Sequence, residues 1–330
     1  MEEVLVTGGA GFIASHVVDT LIDMGKNVIV LDDLSGGFRE NINRKATFIK
    51  GTILNNKLIT SIFENSQISF VFHLAAYAAE GLSHFIKRYN YKNNLIGSIN
   101  LINAAINHNV KCFVFTSSMA VYGACACPMS EDTIPSPVDS YGIAKLAVEQ
   151  ELRISHDLFD LNYVIFRPHN VYGERQNIGD RYRNVIGIFM NQIMNDEPLT
   201  IFGDGTQTRA FTYIKDVAPV IANSIFVKEA YNQTFNIGAD RPIPINELAQ
   251  EVSKAMGVKP KIRYVEEREE VKHAYCSHER ISEVLSFKSK YTLSEGLKIM
   301  ADWAERHGHR KSKRFKHLEI QKNLPDLWVE

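Results

Sequence analysis

The chain has 330 residues, 45% of them hydrophobic and 23% charged, with a formal net charge of −1. That length buries a large core and accommodates two subdomains. The charge balance gives no bulk attraction to nucleic acid or to an anionic membrane, and no apolar run approaches the ~18 residues of a membrane span, so neither partner is expected.

The first expected element is an apolar strand at residues 4–7, so near the start that no signal peptide fits before it. It runs into Gly8-Gly9-Ala10-Gly11 and then a helix at 13–24, which Gly25 can close. Gly8 permits the tight turn, Gly11 lets the backbone approach a pyrophosphate, and Ala14 allows close helix–strand packing. The helix start turns free N–H groups and a positive dipole end toward the phosphates. A second strand at 28–31 ends at Asp32, an acid about 20 residues beyond the turn, where a ribose diol is held. No arginine follows among Asp33, Leu34 and Ser35. A carboxylate there disfavours a ribose 2′-phosphate, so the expected cofactor is NAD rather than NADP.

Further strands are expected at 47–50, 70–74, 112–116 and 163–167, with helices at 58–65, 90–108 and 141–156. Short apolar strands alternating with helices predict a doubly wound parallel sheet with its cofactor at the carboxyl ends of the strands. After about Pro168 the pattern changes to a polar loop over 172–182. A strand at 199–202, the turn Gly203-Asp204-Gly205-Thr206, and helices at 216–227 and 245–256 follow. The expected class is α/β: a Rossmann domain over 1–168, rejoined by about 213–240, and a smaller C-terminal α/β subdomain over 169–212 and 241–330. The basic run from Arg310 to Lys316 reads as a solvated terminal segment. Cys125-Ala126-Cys127 has poor zinc spacing; with Cys112 and Cys276 it reads as free thiols in a reducing cytoplasm, and no metal is expected.

The chemistry is carried by Tyr141-Gly142-Ile143-Ala144-Lys145, preceded by Ser117-Ser118. A tyrosine and a lysine four apart share one helix face. A phenol with a pKa near ~10 is a poor base at neutral pH, and an adjacent ammonium favours its phenolate. The Ser118 hydroxyl can bond the same substrate oxygen. Together they form a proton-handling site for an alcohol becoming a ketone, with the N-terminal half supplying the hydride acceptor.

With these residues assembled, the chain resembles the extended short-chain dehydrogenase/reductase family of nucleotide-sugar epimerases and dehydratases. The marks are Thr7-Gly-Gly-Ala-Gly-Phe-Ile13, His73-Leu-Ala-Ala76, Asn93-Asn94, Ser117-Ser118 before Val121-Tyr122-Gly123, Tyr141-x-x-x-Lys145, Arg167-Pro-His-Asn-Val-Tyr-Gly173 and Gly203-Asp-Gly-x-x-x-Arg209. The stretches 167–175, 183–190 and 270–275 are most like the UDP-glucose 4-epimerase branch. The resemblance implies that Tyr141 is the catalytic base and acid, that Lys145 binds the nicotinamide ribose and lowers the tyrosine pKa, and that Ser118 bonds the sugar hydroxyl. It places Gly8, Gly11, Phe12, Ile13, Asp32, Ile53, Leu74, Ala75, Ala76, Asn94 and Ser117 at NAD. It places Asn170 at the sugar diphosphate, and Asn184, Val185, Thr200 and Phe202 at the nucleotide base. Arg209 and Arg268 match the family's diphosphate clamp, a role that suits a guanidinium fork. A homodimer through the helices at 94–108 and 141–156 is also implied.

The departures narrow the reaction. The family's 4,6-dehydratases carry Asp and Glu directly after the Ser/Thr of this motif; here Met119 and Ala120 stand there, and neither handles a proton. What remains is redox at one carbon without added acid–base groups, which fits a 4-epimerase, and the resemblance then implies epimerisation of a UDP-hexose at C4 through a transient 4-keto sugar. Thr52-Ile53 replaces the usual Asp-Ile at adenine. Tyr77-Ala-Ala-Glu80-Gly81 replaces the usual sugar-pocket segment. Glu80 could read a sugar substituent or supply a further acid–base group, which keeps a dehydratase or another epimerase open as the alternative. His169, beside Asn170, reads as a structural histidine, and Tyr275 falls near the position that gates substituent size.

Overall fold

The computed structural model describes residues 2–267, 271–311, 315, 318–325 and 328. β1 (Glu3–Thr7) leads through the glycine turn into α1 (Phe12–Asp23), and Gly25 at φ +77° ends that helix before β2 (Asn27–Asp32). A loop then folds back over the turn: Phe38 N donates to Ala10 O at 2.9 Å and Asn41 Nδ2 to the same oxygen at 3.1 Å. β3 (Thr47–Lys50), α2 (Asn56–Asn65) and β4 (Ile68–His73) complete the first half.

The single helix expected at 90–108 is three pieces. A short α3 (Glu80–Ser83) precedes α4 (Lys87–Tyr91), a π-helical turn at Lys92–Ile96, and α5 (Gly97–Asn107). The wide turn points Asn94 inward, where its amide takes both backbone groups of Tyr77: Tyr77 N to Oδ1 at 2.9 Å and Nδ2 to Tyr77 O at 3.1 Å. β5 (Cys112–Thr116), α6 (Ser140–Phe159) and β6 (Tyr163–Pro168) follow. Asp139 caps α6 by accepting from Gly142 N at 2.8 Å.

Beyond β6 the elements are β7 (Val171–Tyr172), α7 (Val185–Met194), β8 (Leu199–Phe202), β9 (Thr208–Ala210), β10 (Thr212–Tyr213) and α8 (Ile214–Asn223). Then come β11 (Gln233–Ile237), β12 (Pro242–Pro244), α9 (Ile245–Ala255), β13 (Ile262–Val265), β14 (His273–Ala274), α10 (Glu279–Leu285) and α11 (Leu293–His307). The helix expected at 216–227 begins earlier and gives way to a 3₁₀ turn at Ser224–Phe226.

The main sheet has the order β3-β2-β1-β4-β5-β6-β11 and every pairing in it is parallel. Alternation along the strands fills two layers. Val4, Val6, Val28, Val30, Cys112 and Val114 face one, and Leu5, Ile29, Leu31, Phe113 and Phe115 face the other. This is a Rossmann-like sheet, and its order reverses between β1 and β4, the point at which such folds open a crevice at the strand ends. Three small sheets, β10-β7, β12-β9-β14 and β13-β8, stand beyond that edge.

A buried polar chain ties α6 to the β5, β6 and β11 side of the main sheet. Glu149 on α6 takes Arg167 of β6 through both oxygens, with Nε at 2.9 Å and Nη2 at 2.5 Å, and also accepts from Ser117 Oγ at 2.6 Å. Arg167 Nη1 donates to Tyr122 Oη at 2.8 Å, and Tyr122 Oη donates to Asn236 Oδ1 at 2.7 Å. Glu149 and Arg167 are 0% and 1% exposed, so loss of either leaves an uncompensated buried charge. Glu149→Ala is expected to destabilise the fold by about 3–5 kcal/mol in urea unfolding. A loss under about 1 kcal/mol would show that water or rearrangement satisfies Arg167.

Candidate active site

A cavity of about 500 Å³ opens where the sheet order reverses. It brings together Gly8, Gly11, Phe12, Ile13, Asp32, Ile53, Leu74, Ala75, Ala76, Ser117, Ser118, Tyr141 and Lys145. Its walls also include Glu80, Asn170, Asn184, Val185, Thr200, Phe202 and Arg209. Asn94 is not among the lining residues, because its amide is committed to Tyr77 and to Asn90 Oδ1 at 2.7 Å. It holds the loop that lines the cavity. Arg268 lies outside the described residues. Tyr275 is absent from the lining, where its neighbours Val271 and Ala274 appear.

The cofactor end is built from glycine. A Cβ on Gly8, at φ +76°, would sit 2.8 Å from the Ala75 backbone, and one on Gly11 would sit 2.9 Å from Gly8 O. Gly11 is the N-cap of α1 and no side chain caps it, which leaves the first-turn N–H groups for phosphate oxygens. Asp32 accepts from Ala10 N at 3.0 Å and Leu34 N at 2.7 Å; burial pushes its carboxyl above the usual range, against those two bonds. Its remaining lone pairs can accept further hydrogen bonds from a ligand in the cavity. A glycine cradle, an uncapped helix start and a terminal acid fit a dinucleotide. Ser117 is brought to this wall, but its hydroxyl is spent on Glu149.

Tyr141 lies in the first turn of α6 and is 5% exposed. A hydrogen bond joins it to the Ser118 side chain, whose Oγ also accepts from Ala120 N at 3.1 Å. Lys145 Nζ donates to Thr116 O at 2.8 Å and stands 5.7 Å from the Tyr141 ring centre. The electrostatics differ from the sequence expectation. Burial, then the Glu80 carboxylate, pushes the phenol above its ordinary value, while the bond to Ser118 and the Arg183 charge act downward. Lys145 is no help, because burial brings its own pKa down to about 7, with Glu149 holding it up. Burial thus works against the ammonium as well as the phenolate, and the lysine Nζ is turned to the Thr116 carbonyl.

At the far end, Arg209 sits on the central strand of β12-β9-β14. Its guanidinium donates to the carbonyls of Thr208, Val271 and Lys272 at 2.8, 2.6 and 3.0 Å. Asn170 adopts φ +42° and its buried Nδ2 has no partner. Asn184, at φ +65°, starts α7, and Thr200 is paired with the Gln192 amide at 3.0 and 3.2 Å. His169 lines the cavity, but its Nε2 faces His278 Nε2 at 2.8 Å, and burial leaves it neutral with a pKa of about 3.

Two lining residues carry no role in the sequence reading. Gln176 is 1% exposed and both atoms of its amide lack a partner; with Asn170 it presents polar groups that ligand or water must satisfy. Arg183 is held to Asp180 Oδ2 at 2.8 Å and lies 4.9 Å over the Tyr77 ring. Only the run of glutamine, asparagine and arginine after Gly173 hinted at either.

Residues 4–238 match the model of the NAD dependent epimerase/dehydratase family. The chain belongs to that family, and NAD is its cofactor. A putative UDP-glucose 4-epimerase of Methanocaldococcus jannaschii is 35% identical over 303 residues, 91% of this chain and 97% of that protein. The UDP-glucose 4-epimerase of Thermotoga maritima, solved with UDP-glucose, superposes with a TM-score of 0.88 at 35% identity, covering 92% of this chain and 99% of that one. The UDP-N-acetylglucosamine 4-epimerase of Methanobrevibacter ruminantium M1, solved with UDP-N-acetylmuramic acid, gives 0.85 at 33% identity over 92% and 98%. This epimerase has no helix, among its described residues, long and apolar enough to cross a membrane.

The buried lysine gives stability a defined pH dependence. Between about 7 in the folded chain and its ordinary value of 10.5, Lys145 is neutral when folded and charged when unfolded. The unfolded chain binds more protons there, so stability rises with pH across that window, and the burial penalty is fully present below pH 7. Lys145→Met is therefore expected to gain most over the unaltered chain at pH 6, with the gain shrinking toward pH 9.5 in urea titrations. A difference independent of pH would mean that the lysine is not desolvated.

Proposed function

We propose that this enzyme interconverts the C4 epimers of a UDP-hexose of the glucose/galactose type, with NAD held tightly through the cycle. The observation that carries this reading is the Ser118–Tyr141 pair beside the glycine cradle, with no acid–base side chain at Met119 or Ala120. Bound NAD⁺ supplies the hydride acceptor at C4, a positive charge beside the phenol, and the hydride that returns to the opposite face. In this reading Tyr141 takes the proton of the C4 hydroxyl as its hydrogen is lost, and gives it back when the ketone is reduced. Ser118 keeps a hydrogen bond on that oxygen throughout. Lys145 holds the nicotinamide ribose. Arg209, Arg268 and Asn170 bind the diphosphate about which the keto sugar turns, and Asn184, Val185, Thr200 and Phe202 bind the base. Residues 1–168 with about 213–240 form the cofactor-binding part, and 169–212 with 241–330 the substrate-binding part.

A second copy fits the exposed apolar face that Ile96, Ile143, Ile154 and Leu158 leave on the π turn and α6, at 50, 44, 49 and 68% exposure. Such a face on one side of neighbouring helices supports a homodimer.

The test is product analysis by NMR on UDP-glucose, UDP-N-acetylglucosamine and UDP-glucuronate. Turnover without added NAD and without net NADH is expected for one of them. Tyr141→Phe should lower kcat by about 10²–10⁴-fold; a loss under tenfold would remove Tyr141 as the base. In deuterated solvent a 4-epimerase incorporates no label into carbon. Label at C3 or C5 would instead give Glu80 an acid–base role and make the enzyme a dehydratase or a different epimerase.

A further inference from the structure

After α11, the described residues Arg310, Phe315, Glu319, Ile320 and Trp328 are held against the body of the protein. Arg310 Nη2 donates to Glu40 Oε1 at 2.7 Å, its guanidinium lies 3.7 Å over Phe38, and its backbone pairs with the Asn191 amide at 2.9 and 3.1 Å. Further along, the tail crosses to the wall of the cavity around Tyr141. Phe315 N donates to Tyr182 Oη at 3.1 Å, and its ring meets Tyr89 and Tyr77 at 4.8 and 5.6 Å between centres. The Glu319 carboxylate caps the start of α4, accepting from Arg88 N at 2.8 Å and Tyr89 N at 3.0 Å. Glu319 N and Ile320 N both donate to Phe85 O. Trp328 packs edge-on against Tyr182 and Phe85, and a Cβ on Gly81 would be only 3.1 Å from its ring.

The wall braced in this way faces the reacting centre. Tyr77, Glu80, Gly81, Tyr89 and Tyr182 line the cavity, whereas Phe315 and Trp328 stand behind them. α3 is tied to the catalytic helix, since Tyr141 N donates to Ser83 Oγ at 3.2 Å and Ser83 Oγ donates to Glu80 O at 2.6 Å. Here the first half of the chain contributes α3, which at four residues is too short to hold a position without tertiary support, and α4, the first turn of the helix that continues through the π turn into α5. The Thermotoga maritima epimerase is covered over 99% of its length by 92% of this chain, so this chain carries length with no counterpart there.

We propose that the C-terminal tail, through Phe315, Glu319 and Trp328, is the outer brace of the sugar pocket and sets the bulk of the hexose substituents that it admits. The inference rests on the UDP-hexose reading and concerns the same cavity. Large aromatic rings behind the wall keep Tyr77, Tyr89 and the helix at Gly81 from receding. Truncating one opens space into which the wall can retreat, and a site that fits an extra group better by one or two contacts changes its preference by about 10-fold or more.

The experiment compares kcat/KM for UDP-glucose and UDP-N-acetylglucosamine in the unaltered chain and in Trp328→Ala, Phe315→Ala and Glu319→Gln. A shift of the ratio by about 10-fold toward the bulkier 2-acetamido sugar is expected for the two ring truncations, with a smaller shift in the same direction for Glu319→Gln, at unchanged NAD content. Ratios within threefold of the unaltered chain in all three, or a shift toward the smaller sugar, would overturn the proposal, whatever the loss of thermal stability. Calorimetric binding of the same two sugars reads the ratio without catalysis. A chain that binds them but turns over neither sinks the epimerase reading and leaves the brace to be judged by binding; one that binds neither overturns both.

Discussion

The bidentate pair of Glu149 and Arg167 is the interaction on which most of this molecule depends. Two full charges sit in a part of the core that water does not reach, so each exists only because the other is correctly placed. To place them, α6 must dock on β6 at one rotation. That rotation presents Lys145 and Tyr141, one and two turns earlier on the same helix, to the cavity. The other donors extend the constraint. Ser117 pins the end of β5 to Glu149, and Tyr122 carries it to Asn236 at the β11 edge. The reacting groups are therefore positioned by electrostatics buried beneath them.

The same burial sets the chemistry. Removing Tyr141 and Lys145 from water disfavours both charged forms, the phenolate and the ammonium, so the pair rests near neutrality. A cation bound in the cavity would favour the phenolate, and in the proposed reaction the oxidised nicotinamide would be one.

Much of this was readable in the sequence. The glycine turn, Asp32 and the alternation of apolar strands are local patterns with one backbone solution, and the parallel sheet follows from them. The Tyr141–Lys145 spacing is likewise local. What was not readable depends on contacts between distant segments. The resemblance places Asn94 near the cofactor, and only the path of the chain at Tyr77 shows that its amide is bonded to that backbone. The pKa of Tyr141 could not be read from Lys145 alone, because the Thr116 carbonyl and the depth of burial decide it. The basic run from Arg310 looked like solvated chain; Glu40, Phe38 and Asn191, far away in sequence, make Arg310 an anchor. Gln176 and Arg183 sit in a polar loop with no periodicity to single them out. By contrast α11 announced itself with Thr292-x-x-Glu295, a capping box formed in the structure, and went unread.

The π turn at Lys92–Ile96 has an evolutionary corollary. A π turn winds in one residue more than the α-helical turn it replaces, and excising that residue would turn everything downstream by about 100°. Such a deletion would roll Ile96 and the face beyond it off the molecular surface and pull Asn94 away from Tyr77 together. Outer face and inner amide are thus locked to a single length of chain. Lineages descending from this sequence cannot shorten that turn without losing a contact on each side of the helix at once.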